Sequence, residues 1–168
     1  YDSDGGVNVI IPSKVNGIEV KKIGKEAFSA KKIETVKIPE GVIKIGQGAF
    51  YDNNLENVEI PNSITEIEDA AFWLNELETV KIPEGVTKIG EGAFNYNKLE
   101  KVEISDSVTK IGYGAFANNN LKSVEIPESI TKIGGGAFLN NNLEKVINYD
   151  GKESRNYIYI PKDKNEMK

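Results

Sequence analysis

Apolar residues recur along this chain at one fixed spacing. The pair Ala-Phe stands at Ala27-Phe28, Ala49-Phe50, Ala71-Phe72, Ala93-Phe94, Ala115-Phe116 and Ala137-Phe138, every step being 22 residues. An aliphatic residue opens each unit at Ile33, Leu55, Leu77, Leu99, Leu121 and Leu143, and a valine follows at Val36, Val58, Val80, Val102, Val124 and Val146. Next come Ile38, Ile60, Ile82, Ile104 and Ile126, mostly followed by proline. Val42, Ile64, Val86, Val108 and Ile130 form a further column, and Ile45, Ile67, Ile89, Ile111 and Ile133 another. A period of 22 residues is too short for a helical pair and suits one strand plus a return segment per turn.

These columns predict a solenoid. In Leu-x-x-Val-x-Ile the Val and Ile point to one side and the residue between them to the other. One such strand cannot bury its face alone, but stacked on copies of itself it forms a parallel sheet with strands about 4.8 Å apart. Pro39, Pro61, Pro83 and Pro127 end the strand because proline has no N–H for the ladder, and Ser105 stands in once. The return segment carries Gly-x-Gly, which suits a tight bend with little room for side chains. Little helix is expected beyond short turns after each Ala-Phe.

A polar column accompanies the apolar ones: Asn53, Asn75, Asn97, Asn119 and Asn141, each two residues before the opening leucine. Stacked amides at a buried turn would form a ladder that satisfies backbone groups otherwise orphaned inside the solenoid. Tolerance of a left-handed turn conformation is the other reading.

The pattern Leu-x-x-Val-x-Ile-Pro-x-x-Val-Thr-x-Ile-Gly-x-Gly-Ala-Phe-x-x-Asn resembles the BspA-type leucine-rich repeat of bacterial surface proteins, from about Ile10 to Val146. Ile11–Val20 is similar to that family's longer first repeat. Many relatives carry cysteine where this chain has asparagine, which alters turn chemistry rather than fold. The resemblance implies a leucine-rich-repeat solenoid with its parallel sheet on the concave face. It also implies a place outside the cell or on its surface, as an adhesin or host-contact module of a larger protein. The expected organisation is an N-terminal cap and atypical first repeat over 1–22, the repeat array over 23–148, and a C-terminal cap strand and polar tail over 149–168. Val7–Ile11 and Ile18–Val20 could pair as a hairpin through Asn16-Gly17. Tyr157-Ile158-Tyr159-Ile160 alternates as a closing strand should, ahead of the polar tail Lys162–Lys168, so the segment reads as an excised domain.

Composition narrows the chemistry. The 168 residues contain no cysteine and no histidine, which removes disulfides, Cys/His zinc sites, thiol nucleophiles and imidazole bases. A net charge of −5 of mixed sign argues against nucleic acid, and the apolar run Ala70–Leu74 is too short to insert in a membrane. Ser107-Val-Thr-Lys110 and Ser129-Ile-Thr-Lys132 match Ser-x-x-Lys, but sister repeats carry Gly41, Ser63 and Gly85 in that serine column, so they read as turn serines. The Gly-x-Gly pairs lack the rest of a phosphate loop. Glu34, Glu56, Glu78, Glu100 and Glu144 supply one carboxylate per coil, without an aspartate-rich loop to hold calcium. The lysine column Lys44, Lys88, Lys110 and Lys132, broken by Glu66, reads as a solvated face that could touch an acidic partner. No cofactor, metal or catalytic residue is expected.

Two surfaces remain as binding candidates. The outward residues of the strands, Thr35, Lys37, Asn57, Glu59, Thr79, Lys81, Lys101, Glu103, Ser123 and Glu125, would line the concave sheet where solenoids usually bind. Their alternation of Lys and Glu would also stabilise adjacent strands directly. After each Ala-Phe, Tyr51, Trp73, Leu74 and Tyr96 would form an aromatic ridge if they face outward, with Trp73 folding over its neighbour as the alternative. The expected function is protein binding, to a host matrix or cell-surface protein. The alternative is a spacer or targeting domain that presents a separate catalytic domain of the same polypeptide.

Overall fold

The computed structural model describes the backbone of residues 7–148 and the side chains of 7–144. The closing strand, C-terminal cap and tail expected over 149–168 lie outside the described residues. Strand β1 (Val7–Ile10) is followed by β2 (Lys14–Val15), β3 (Ile18–Glu19) and β4 (Lys22–Ile23). Each later coil contributes a long strand, a short strand or both. These are β5 (Ile33–Lys37), β6 (Lys44–Ile45), β7 (Glu66–Ile67), β8 (Thr79–Ile82) and β9 (Lys88–Ile89). Strands β10 (Lys101–Ile104), β11 (Lys110–Ile111), β12 (Ser123–Ile126), β13 (Lys132–Ile133) and β14 (Lys145–Asn148) complete the array. The result is a parallel β-solenoid of about six turns, with no helix among the described residues.

The ladder that runs without a break is made by the shorter segments. Strands β4, β6, β7, β9, β11 and β13, two residues each, pair in parallel as one six-stranded sheet. The long strands pair only as β1–β5, β8–β10 and β12–β14. No strand forms over 57–60, where Asn57, a poor strand former, replaces the threonine of neighbouring coils. The register is set by the repeat: Val102 lies opposite Val80 and Ile104 opposite Ile82.

The N-terminal segment differs from the hairpin expected for Val7–Ile11 and Ile18–Val20. β1 joins the solenoid, parallel to β5, with Val9 opposite Val36 and a bulge at Val7/Asn8. The antiparallel hairpin is instead the short β2–β3 pair, with Lys14 opposite Glu19 across Asn16 and Gly17. Val9 to Val36 is 36 − 9 = 27 residues, five more than the usual period, and the hairpin absorbs the excess. A parallel partner suits β1 because Val9 can then join the apolar column of Val36, which both stand against the core.

Two stacks fill the interior. Phe28, Phe50, Phe72, Phe94, Phe116 and Phe138 lie ring on ring, with centroids 5.3–5.4 Å apart and planes within 10° of parallel. Phe50, Phe72, Phe94 and Phe116 are fully buried, each burial stabilising by about 1.5–3 kcal/mol. Beside them runs the asparagine ladder. Asn97 Nδ2 donates to the carbonyls of Phe72 and Phe94 at 2.9 and 3.1 Å, and its Oδ1 accepts from Leu77 N–H at 3.1 Å. Asn53, Asn75, Asn119 and Asn141 repeat this arrangement one coil apart. The left-handed residue of each turn is the one before the asparagine: Asp52, Leu74, Tyr96, Asn118 and Asn140 have φ of 53–55°. The asparagine amide is thus free to bridge coils while its neighbour makes the bend.

Asn97→Ala should therefore destabilise the protein by about 1–3 kcal/mol, because Leu77 N–H is left buried without an acceptor. Asn141→Ala, at a half-buried position, should cost less. Urea midpoints of the two variants check this, and equal, negligible shifts would count against the ladder as a source of stability.

Candidate functional site

The long strands put alternate residues outside. All ten positions named for this face, from Thr35 to Glu125, are exposed. Lys81 and Glu103 are Cα partners across β8 and β10. The ion pair nevertheless forms within one strand: Lys101 Nζ reaches Glu103 at 2.6 Å. Two residues apart on a strand share a face, and Lys101 lies on the outward side with Glu103. The hydrogen bond from Lys101, reinforced by its charge, holds the Glu103 carboxyl below the usual carboxylate range. Strand-to-strand charge alternation therefore gives less direct pairing than the sequence suggested. A shallow open groove follows this face, lined by Glu103, Asp106, Ser123, Glu125 and Glu128 beside Lys101.

The turn edge carries the aromatic residues. Trp73 is half-buried, stands edge-on to Tyr51 with centroids 6.1 Å apart, and covers Gly92, where an added Cβ would sit 3.4 Å from the indole. Leu74 and Tyr96 are exposed, Tyr96 by 52%. The four are thus not one uniform ridge: two rings pack locally and two side chains face solvent. Sequence reading passed over an amide chain on this edge, in which Asn140 donates to Asn118 and Asn118 to Asn95, both at 2.8 Å. The recurrence of Asn118 and Asn140 in one column was its only signal.

The short-strand sheet stacks Lys22, Lys44, Glu66, Lys88, Lys110 and Lys132 in register. Lys44 bridges Glu66 at 3.0 Å and Glu68 at 2.7 Å. Glu68 occupies the column of Gly46, Gly90, Gly112 and Gly134, and its carboxylate also accepts from Gln47 N–H at 2.9 Å. The Lys44 hydrogen bond, ahead of the Gln47 contact, holds Glu68 below the usual carboxylate range, and the two acids hold Lys44 above the usual amine range. The serines of Ser-x-x-Lys are structural: Ser107 and Ser129 donate to the carbonyls of Val86 and Val108 at 2.8 and 2.7 Å. Among the described residues no cluster of acids has the geometry to hold a metal.

Six copies of the BspA type leucine rich repeat region match this chain over residues 21–144. The chain belongs to the BspA-type leucine-rich repeat family. Its solved relatives are bacterial. The pneumococcal vaccine antigen PcpA is 26% identical with a TM-score of 0.79, over 90% of this chain and 42% of that one. A leucine rich cell surface protein from Faecalibacterium prausnitzii is 27% identical with a TM-score of 0.59, over 86% of this chain and 48% of that one. The Treponema pallidum leucine rich repeat protein TpLRR is 28% identical with a TM-score of 0.62, over 84% of this chain and 72% of that one. The chain thus spans less than half the length of the first two. A search of curated proteins returned no match. No helix among the described residues is long and apolar enough to cross a membrane. BspA-type repeats, like other leucine-rich repeats, form a scaffold for protein interactions.

Two measurements test this geometry. Trp73 emission should lie between that of a buried and a fully solvated indole, and Tyr51→Ala should shift it to the red by uncovering one edge. An unchanged spectrum would mean that Tyr51 does not shield the indole. For Glu68, a carboxyl depressed in the folded state stabilises above its unfolded pKa, about 4.3, and that contribution is lost as pH falls through the folded value. Glu68→Gln should therefore flatten the acid limb of the urea midpoint against pH below about 4.3 while leaving its shape near neutrality.

Proposed function

We propose that this segment is an extracellular, non-enzymatic protein-binding module of a bacterial surface protein, serving in adhesion or host contact. The long-strand face is the binding surface. One observation carries the choice: its ten side chains are all exposed, in a register set by the core, with Lys101–Glu103 the one ion pair joining any two of them among the described residues. A partner meets groups whose backbone spacing is already fixed and displaces few internal contacts. The relatives support an extracellular setting, since one is described as a cell surface protein and another as a vaccine antigen.

The second reading is a spacer that presents another domain. It rests on the same rigid repeat array and on the partial coverage of the longer relatives. Charge reversal separates the two. Lys81→Glu with Glu103→Lys keeps the net charge and, on the adhesin reading, should weaken capture of a host matrix protein about tenfold, with the melting temperature moved by only a few degrees. Capture retained at full strength would move the contact to the turn edge at Leu74 and Tyr96. Absence of capture by the unaltered domain would favour the spacer.

A further inference from the structure

The lysine column of the short-strand sheet has two halves with different surroundings. In the first, Glu66 stands between Lys44 and Lys88 and approaches both, at 3.0 and 3.8 Å. In the second, Lys88, Lys110 and Lys132 are consecutive register partners with no acid between them. Among the described residues neither Lys110 nor Lys132 has a carboxylate within 4.0 Å. Strand spacing of about 4.8 Å sets these ammonium groups close together, and like charges directly opposite destabilise a sheet. The first half of the column shows that this fold accepts an acid in the series. The second half keeps its positive charge.

What lies beside those lysines indicates the ligand. Thr109 and Thr131 turn their hydroxyls to the carbonyls of the preceding coils, at 3.1 and 3.0 Å. Tyr113 is 64% exposed and rests beside Gly135, where an added Cβ would meet its ring at 3.5 Å. The same column holds Lys25, Gln47, Asp69 and Glu91 in earlier coils, so a glycine appears only next to this ring. The surface is a line of cations at coil pitch, and the coil that carries Lys110 exposes the Tyr113 ring three residues further on. Protein interfaces draw most of their affinity from buried apolar and aromatic anchors, whereas these residues present ammonium groups and one ring. A linear acidic glycan needs spaced cations and a flat ring on which a sugar can lie.

We propose that Lys88, Lys110 and Lys132, with Tyr113, form a second binding surface on the short-strand face, specific for a linear acidic polysaccharide. This surface is separate from the long-strand face, and the Lys81/Glu103 charge reversal should leave it intact. Its test is calorimetric titration of the full chain with heparin and hyaluronan oligosaccharides of matched length, and with poly-glutamate of similar charge. Lys110→Gln with Lys132→Gln should weaken glycan binding about tenfold or more. With heparin, whose charge is dense enough to condense counterions, the salt dependence of log K should flatten by about two, roughly one per lysine removed. Tyr113→Ala should weaken glycan binding without changing that slope. The lysine variant should also melt no lower than the unaltered chain at low salt, because repulsion has been removed. Lys31→Gln with Lys32→Gln, the same change in net charge on an exposed turn, should bind as before. Heparin alone binding would identify dense, sulfate-bearing charge as the requirement, and hyaluronan binding equally would identify any acidic glycan; both support the surface. Equal loss in the Lys31/Lys32 variant, unchanged affinity in the Lys110/Lys132 variant, or tighter binding of poly-glutamate than of either glycan would overturn it.

Discussion

A backbone that turns every few residues without a helix directs N–H and C=O groups into its own interior. Each one buried without a partner costs about 1–3 kcal/mol. In this solenoid one asparagine per turn meets that requirement with both ends of its amide. Asn97 takes the Leu77 N–H and gives its own two N–H bonds to Phe72 and Phe94, so a single side chain ties its coil to the one before. Cysteine, which the resemblance places here in many relatives, has one weak donor and a weak acceptor and cannot do all three. Coil-to-coil backbone bonds such as Phe50 N–H to the Ala71 carbonyl, at 2.8 Å, recur at the same interval, so all coils share one pitch and the phenylalanine rings stack at 5.3–5.4 Å.

Uniform pitch has an electrostatic consequence. Any charge at a repeated position is stacked on its copies, and the chain deals with this differently on each face. On the short-strand face Glu66 and Glu68 surround Lys44. On the long-strand face Glu103 turns to Lys101 in its own strand, despite Lys81 opposite. Exposed pairs of this kind are screened by solvent and contribute little to stability. Their larger effect is to decide which charges remain available to a partner.

The repeat also determines what sort of site this protein can offer. The surface presents the same side-chain positions coil after coil. Recognition then depends on many modest contacts at fixed spacing, which is how repeat scaffolds bind extended partners. The irregular positions distinguish one coil from the next: Trp73 over Gly92, Tyr113 beside Gly135, and the acids of the coil around Glu66.

The period by itself determined the coil, the inward columns and the buried asparagines, because each is a single-residue choice repeated at one interval and dictated by burial. All ten outward positions were legible for the same reason: alternation fixes which side of an extended segment a residue occupies, and Asn57 and Glu59 are exposed although no strand forms there. Three features depended on the tertiary structure. The unbroken ladder belongs to the two-residue strands, since continuity needs every coil to pair, and the long-strand ladder is broken at Asn57 and again between β10 and β12. Strand β1 joined the solenoid because the β2–β3 hairpin takes up the first coil's extra residues, which leaves Val9 opposite Val36. Trp73 covered Gly92 and Lys101 took Glu103 through contacts that depend on which rotamer fills the space beside a neighbouring side chain. A repeat pattern places side chains on faces; only the packed neighbours decide which of them touch.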